Sequence, residues 1–242
     1  MKSMATVSAA AFALGLGLAA CGGGGGSDIT MPPPTDFNMK AGVTNMVMHG
    51  LSANVSLSGN VVVNGASTSF TGSGTYSLAA GTSATFNGTA ALMQTQSIAG
   101  SIDVAGQSAP LNVSASGYYA SSDSAFLGET DGSGNEYDVA QTPIEYPTSI
   151  VGGSGGTLGT VNRYTDSTMS VPLGTSQISY SATAPADSGG PIGIAVTTKT
   201  FDNQNNLTET DVTNYTMSSA NVISFSSASA QTSSGTLTVQ AN

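Results

Sequence analysis

Tryptophan is missing from this chain and charge is scarce: Asp, Glu, Lys and Arg make up 7% of 242 residues, with 4 basic, 14 acidic and 1 histidine. Each shortage excludes something. Beyond the first twenty positions the basic residues are Lys40, Arg163 and Lys199, too few to neutralise a run of phosphates, which argues against nucleic acid and anionic lipid headgroups as partners. One cysteine, Cys21, permits no internal disulfide, so stability must come from sheet and core alone. Aromatics are 6% and much of the 39% hydrophobic content is alanine, so a core is possible but thin. Ser, Thr, Asn and Gly are abundant. Low charge with many β-branched residues is not the composition of a disordered chain.

The N-terminus is the stretch with a mechanism attached. Lys2 precedes an apolar run over residues 9–20, interrupted by Gly15 and Gly17, and Leu18-Ala19-Ala20-Cys21 is followed by five glycines. About 12 apolar residues fall short of the ~20 that cross a bilayer, but they suit the h-region of a secretory signal. An ordinary signal peptide with a chance cysteine is the plainer alternative. The stretch resembles the lipobox of bacterial lipoprotein signals. That resemblance implies removal of residues 1–20 and acylation of Cys21 with palmitate-type chains. The partner is then a membrane, held through the lipid at about 0.8 kcal/mol per buried methylene. Gly22 stands where an aspartate would favour inner-membrane retention, so the resemblance implies the outer membrane, on its periplasmic face or at the surface. The part from Cys21 onward carries 3 basic against 14 acidic residues, a net charge of −11.

From Cys21 the chain divides into a tether, 21–42, an N-terminal β region, 43–119, an irregular acidic and Gly-rich connection, 120–159, and a C-terminal β region, 160–242. Glycines and Met31-Pro32-Pro33-Pro34 make the tether a flexible coil that stiffens into polyproline. Period-two patterns follow: Val55-Ser56-Leu57, Ser69-Phe70-Thr71 and Thr75-Tyr76-Ser77-Leu78, with Asn64-Gly65 as a hairpin signal. Residues 89–94, with Ala90, Ala91, Leu92 and Met93, suit a short helical turn. Strand patterns resume over 160–164, 169–173, 177–183, 192–201, 207–217, 222–225 and 235–239, and residues 202–206 read as a hairpin tip. The expectation is an all-β antiparallel fold, sandwich or barrel-like, in two β-rich halves. The Cys-Gly run and Ser/Thr/Gly-rich strands resemble uncharacterised small lipoproteins of Gram-negative bacteria, a resemblance that implies no activity.

Several stretches imitate catalytic motifs. Ala186-Asp187-Ser188-Gly189-Gly190-Pro191 resembles the nucleophile loop of chymotrypsin-like proteases, with His49 and Asp103 in the matching chain order. Ala186 replaces the family's glycine, and Ile150-Val151-Gly152-Gly153 falls where it cannot act as that family's N-terminus. A polar loop between strands is the plainer reading. Residues 129–138 offer oxygen atoms to calcium but lack the carboxylate periodicity and distal glutamate of an EF-hand loop, so a solvated turn is expected. Residues 152–159 fit neither a dinucleotide fingerprint nor a phosphate loop and read as a linker. With Cys21 acylated, His49 alone cannot hold zinc. Glu209 and Asp211 share one strand face, a spacing usable for glycoside hydrolysis only beside a cleft; a solvated face is expected.

The function expected is therefore a non-catalytic structural or binding module on a lipid anchor at Cys21, with no cofactor, no metal site and a protein or glycan partner that the residues do not specify. The alternatives are a serine hydrolase built on Ser188, His49 and Asp103, and a barrel that carries a lipid or small ligand.

Overall fold

Alternation decides the architecture. The computed structural model describes residues 36–63 and 65–242, and in it strands such as the first (51–63) and the eleventh (207–217) bury alternate side chains. One helix, α1 (Met39–His49), is followed by β1 (Leu51–Val63), β2 (Ala66–Leu78), β3 (Thr82–Phe86), β4 (Thr89–Val104), β5 (Gln107–Ala120), β6 (Phe126–Asp131) and β7 (Tyr137–Ile144). The chain continues through β8 (Gly155–Tyr164), β9 (Pro172–Thr183), β10 (Ile192–Phe201), β11 (Leu207–Met217), β12 (Ile223–Thr232) and β13 (Gly235–Ala241).

All but β3 join one closed antiparallel barrel of 12 strands. Sequential strands pair, β13 returns to β1 from Val55 opposite Ala241 to Val61 opposite Gly235, and β9 lies beside β10. That last seam is tied by Ser176 Oγ to Thr200 Oγ1 at 3.0 Å. This excludes the sandwich, because every barrel strand has a neighbour on both sides and no second sheet lies opposite. The connection expected over 120–159 instead supplies β6, β7 and the first residues of β8. Its prolines and glycines had suggested a break, but Pro143 lies within a strand and Gly159 packs its bare Cα against Ile144.

Over β1, β2, β4 and β5 the inner face is apolar and the outer face carries hydroxyls, while beside β3 a separate apolar cluster of Phe86, Ala91 and Leu127 with Tyr118 and Tyr137 packs on the outer side. Val55, Leu57, Tyr76, Ile98, Tyr215, Phe225 and Val239 form an inner core in which the Tyr76 and Phe225 rings stack at 4.1 Å between centroids. On the outer face, cross-strand rows run Ser52–Ser77–Ser97–Ser114 and Ser58–Thr71–Asp103–Ser108. A barrel that crosses a membrane turns an apolar band outward; here these outer rows are serine and threonine with Asp103, and the apolar patch around Phe86, Leu127, Tyr118 and Tyr137 is local to β3, β5, β6 and β7. Glycines bend the sheet where the wall turns sharply. Gly74 and Gly100 face each other on β2 and β4, and a Cβ on Gly100 would come 2.2 Å from the Ser73 carbonyl oxygen.

Helix α1 departs from the sequence pattern, which divides its residues between the tether, 21–42, and the first β region, 43–119. Its signals are local. Asn38 caps the start, accepting from the Ala41 N–H at 2.9 Å, and Gly50 ends it at φ 71°, donating to the Met46 carbonyl. Met39, Val43 and Val47 form the buried stripe. The stretch expected to turn helical, 89–94, lies in β4, paired with β3 and β5, so ladder pairing overrides alanine's propensity. Asn64 of the expected Asn64-Gly65 turn lies outside the described residues, as do Cys21 and the lipobox.

An even strand count puts α1 and Ala241 at one end of the barrel and six strand-to-strand hairpins at the other. At the helix end α1 spans the mouth. Its start is held by the Lys40 N–H to the Pro147 carbonyl at 2.9 Å and by the bridge between Phe37 and Ile150. Its last turn is held by the Gly81 N–H to the Val47 carbonyl at 2.7 Å and by Gln94 Nε2, which donates to the Met46 and Ala79 carbonyls at 2.9 and 3.0 Å.

Candidate functional site

Eight strands close into a barrel that side chains can just fill, whereas twelve enclose more. Here α1 and the tyrosine rings take most of that space, and a cavity of about 70 Å³ remains beneath the helix. Val43 and Met46 roof it, Ile144, Leu158 and Ile178 line its apolar wall, and Tyr119, Tyr146 and Tyr215 bring ring and hydroxyl. Glu129 is the one carboxylate among the lining residues.

Glu129 belongs to a larger set. The β6–β7–β8 register places Glu129 opposite Asp138 and Asp138 opposite Arg163, and from β11 Glu209 and Asp211 enter the same interior. Arg163 Nε donates to Glu136 Oε1 at 2.6 Å and lies 3.8 Å from Asp138 Oδ2. One guanidinium thus serves five carboxyl groups. Asp138 is 3% exposed and Asp211 2%. Glu129 Oε1, Asp138 Oδ1 and both Asp211 oxygens are buried with no hydrogen-bond partner.

Such groups hold protons. Burial first, then the charge of Glu136, pushes Glu129 up to about 8 from an ordinary 4.5, against the pull of Arg163. Burial also raises Asp138, with Glu136 and Glu129 adding to it. Glu209 and Asp211 both rise for the same leading reason, and each feels the other. As two carboxylates they would have no donor between them; a shared proton supplies one. The interior tyrosines Tyr76, Tyr119, Tyr146 and Tyr215 are all raised by burial and stay neutral.

Asp103 and His49, two of the residues singled out in the sequence, land at opposite ends of the barrel. Asp103 sits at the hairpin end, where its Oδ1 accepts from the Gly106 N–H at 2.8 Å and shapes the β4–β5 turn. His49 is at the helix end, its Nδ1 3.0 Å from the Asn45 carbonyl, beside Gly50, which packs on Leu78. Leu78 pairs with Gln96 in the β2–β4 register, and from Gln96 to Asp103 the strand runs roughly 23 Å. Asp103 therefore cannot orient the His49 ring. Ser188 occupies the polar loop between β9 and β10, as the plainer reading expects.

Glu209 and Asp211 do share a face, but it is the inner one, which corrects the solvated face expected. In the acidic stretch 129–138 the ends turn inward and the tip is a hairpin. There Asp131 Oδ1 accepts from the N–H groups of Asn135 and Glu136 at 2.7 and 3.0 Å. Among the described residues no group of three His, Cys, Asp or Glu side chains is arranged to hold a metal ion. Of the cavity residues, Glu129 was noticed only as part of the acidic stretch 129–138, Tyr119 could have been found by its parity with buried neighbours on β5, and Tyr146, in the connection after β7, carried no signal. Comparison with protein-family models, curated proteins and solved structures gave no match.

Proposed function

We propose that this protein is a cell-envelope lipoprotein, anchored by acyl chains on Cys21 in the outer membrane, whose barrel is a non-catalytic module that binds a small ligand in the cavity beneath α1. The observation that carries the binding reading is the cavity itself, of about 70 Å³ and lined by apolar, aromatic and polar groups, the mixture that small-molecule sites present. Its size argues against a whole lipid. A cavity of about 150 Å³ accommodates benzene, so half that volume suits three or four non-hydrogen atoms. The anchoring reading rests on Leu18-Ala19-Ala20-Cys21, and the Ser/Thr outer rows suit a barrel that stands in water beside the membrane rather than within it.

Two experiments test the two halves. Cys21→Ser should release the protein from membranes and abolish acyl labelling; retention of the variant would end the anchoring reading. For the cavity, the full-length protein is titrated with three-carbon probes, 1-propanol, propylammonium and propionate, followed by NMR shifts of Tyr119 and Tyr146. Saturable binding of one of them, lost in Ala115→Leu, which fills the space from β5, is expected. If none binds saturably, the cavity is not a ligand site.

A further inference from the structure

The cavity's wall says which of those probes it should prefer. We propose that it selects a small organic cation, an alkylammonium of three or four non-hydrogen atoms, with Glu129 as counter-ion. This rests on the cavity being the binding site and adds the charge class of what enters it.

Three observations converge. Glu129 is the single carboxylate-bearing residue among those that line the cavity, and its Oε1, tucked behind the wall, has no hydrogen-bond partner, so the carboxyl group must turn toward the cavity to meet a ligand. A buried acceptor left open is costly, and a donor that arrives with its own positive charge satisfies both its lone pairs and its charge. Next, the barrel's own cation is already committed: Arg163 binds Glu136 and approaches Asp138. Finally, the rest of the wall suits an organic rather than a metal cation. Tyr119, Tyr146 and Tyr215 bring aromatic rings, which attract ammonium groups through their faces. Leu158, Ile178 and Val196 offer an alkyl group a dry surface. An inorganic ion would need several oxygens around one point, and no such group of carboxylates is assembled among the described residues.

Binding should release a proton. In the ligand-free protein Glu129 is raised to about 8, with Glu136 and Asp131 raising it beyond the effect of burial and Arg163 opposing them. Asp138, opposite it on β7, and Tyr119, Tyr146 and Asp211 also feel its charge. An ammonium that pairs with the carboxylate must first displace its proton. Affinity should therefore rise about tenfold per pH unit up to pH 8 and level off above it.

The experiment is the three-probe titration of the full-length protein, run at pH 6, 7, 8 and 9. Propylammonium should bind at pH 8 at least tenfold more tightly than 1-propanol, with propionate weakest. Glu129→Gln, which keeps the shape and removes the charge, should bring propylammonium down to the level of 1-propanol and abolish the pH dependence. Asp187→Asn, which removes an exposed carboxylate from the loop between β9 and β10, should leave the preference intact. Circular dichroism of both variants confirms that the barrel is formed. Equal binding of propanol and propylammonium overturns the cation assignment while leaving the cavity a binding site, and so does a preference for propionate or one that survives in Glu129→Gln. Absence of binding by all three probes overturns both.

Discussion

The two ends of β11 inhabit different chemistries. Toward α1, Tyr215 and Met217 sit in an apolar interior with Val47, Ile192 and Ile194; toward the hairpins, Glu209 and Asp211 sit among carboxyl groups and one arginine. The strand and its inward face are the same. At the helix end, burial of aliphatic and aromatic surface supplies stability, about 25 cal/mol per Å² removed from water. At the other end, buried carboxyl groups cost stability and are kept in place by protons and Arg163. Stability and chemistry are thus divided along the barrel axis, and the cavity lies where the two meet.

The sharpest way to break this division is to remove Arg163, the one interior cation at the acidic end among the described residues. Arg163→Met should destabilise by about 3–5 kcal/mol at pH 8, since it strips the partner from a buried ion cluster. Urea unfolding at pH 5 should show a smaller loss, because Glu129 and Glu209, raised to about 8 and about 7, are then protonated and lean less on the guanidinium. A loss equal at both pH values would mean that Arg163 contributes by packing alone. At the helix end, Met217→Ala should cost about 2–5 kcal/mol with no such pH dependence; Met217 is fully buried against Gly42 of α1.

A smaller effect is expected where α1 is pinned. Gln94→Leu removes both bonds to the Met46 and Ala79 carbonyls and should cost about 1–3 kcal/mol. Hydrogen exchange should quicken in α1 before it does in β11. The mildest change should be a gain. Glu129, Asp138, Glu209 and Asp211 all bind protons more tightly folded than unfolded, so between pH 4.5 and 8 the native state holds more protons and stability falls as pH rises. Asp211→Asn should raise the melting temperature at pH 8 and flatten that slope; a wild-type melting temperature that climbs from pH 5 to 8 would contradict the proton-holding interior.

Much of this contrast was legible in the residues and part was not. Period-two alternation marked β10 and β11 to their ends but split β9 into 169–173 and 177–183, where one strand runs from Pro172 to Thr183. Asp202 with Asn205 and Asn206 announced the β10–β11 turn that the structure forms. Alternation also places Glu209 and Asp211 on one face. It does not by itself say which face is inside, and carboxylates argue for water. The decisive clue lay further along the strand, where Tyr215 and Met217 share their parity. Helix α1 escaped notice because its caps, Asn38 and Gly50, enclose only 11 residues, with Thr44 and Asn45 among them. The cavity could not be read at all, since it arises from the circumference of a ring whose closure pairs residues 55–61 with 235–241.

That closure also governs the order in which the molecule can be completed. β13 is held between β12 and β1, so a nascent chain halted before Gly235 carries two unpaired edges. One is β12, and the other is β1, whose Val55 and Leu57 have been waiting since early in synthesis. Exposed edges recruit one another between molecules. The barrel therefore depends on its youngest strand to end a sticky interval that began with its oldest, and any pause in synthesis upstream of Gly235 prolongs the exposure.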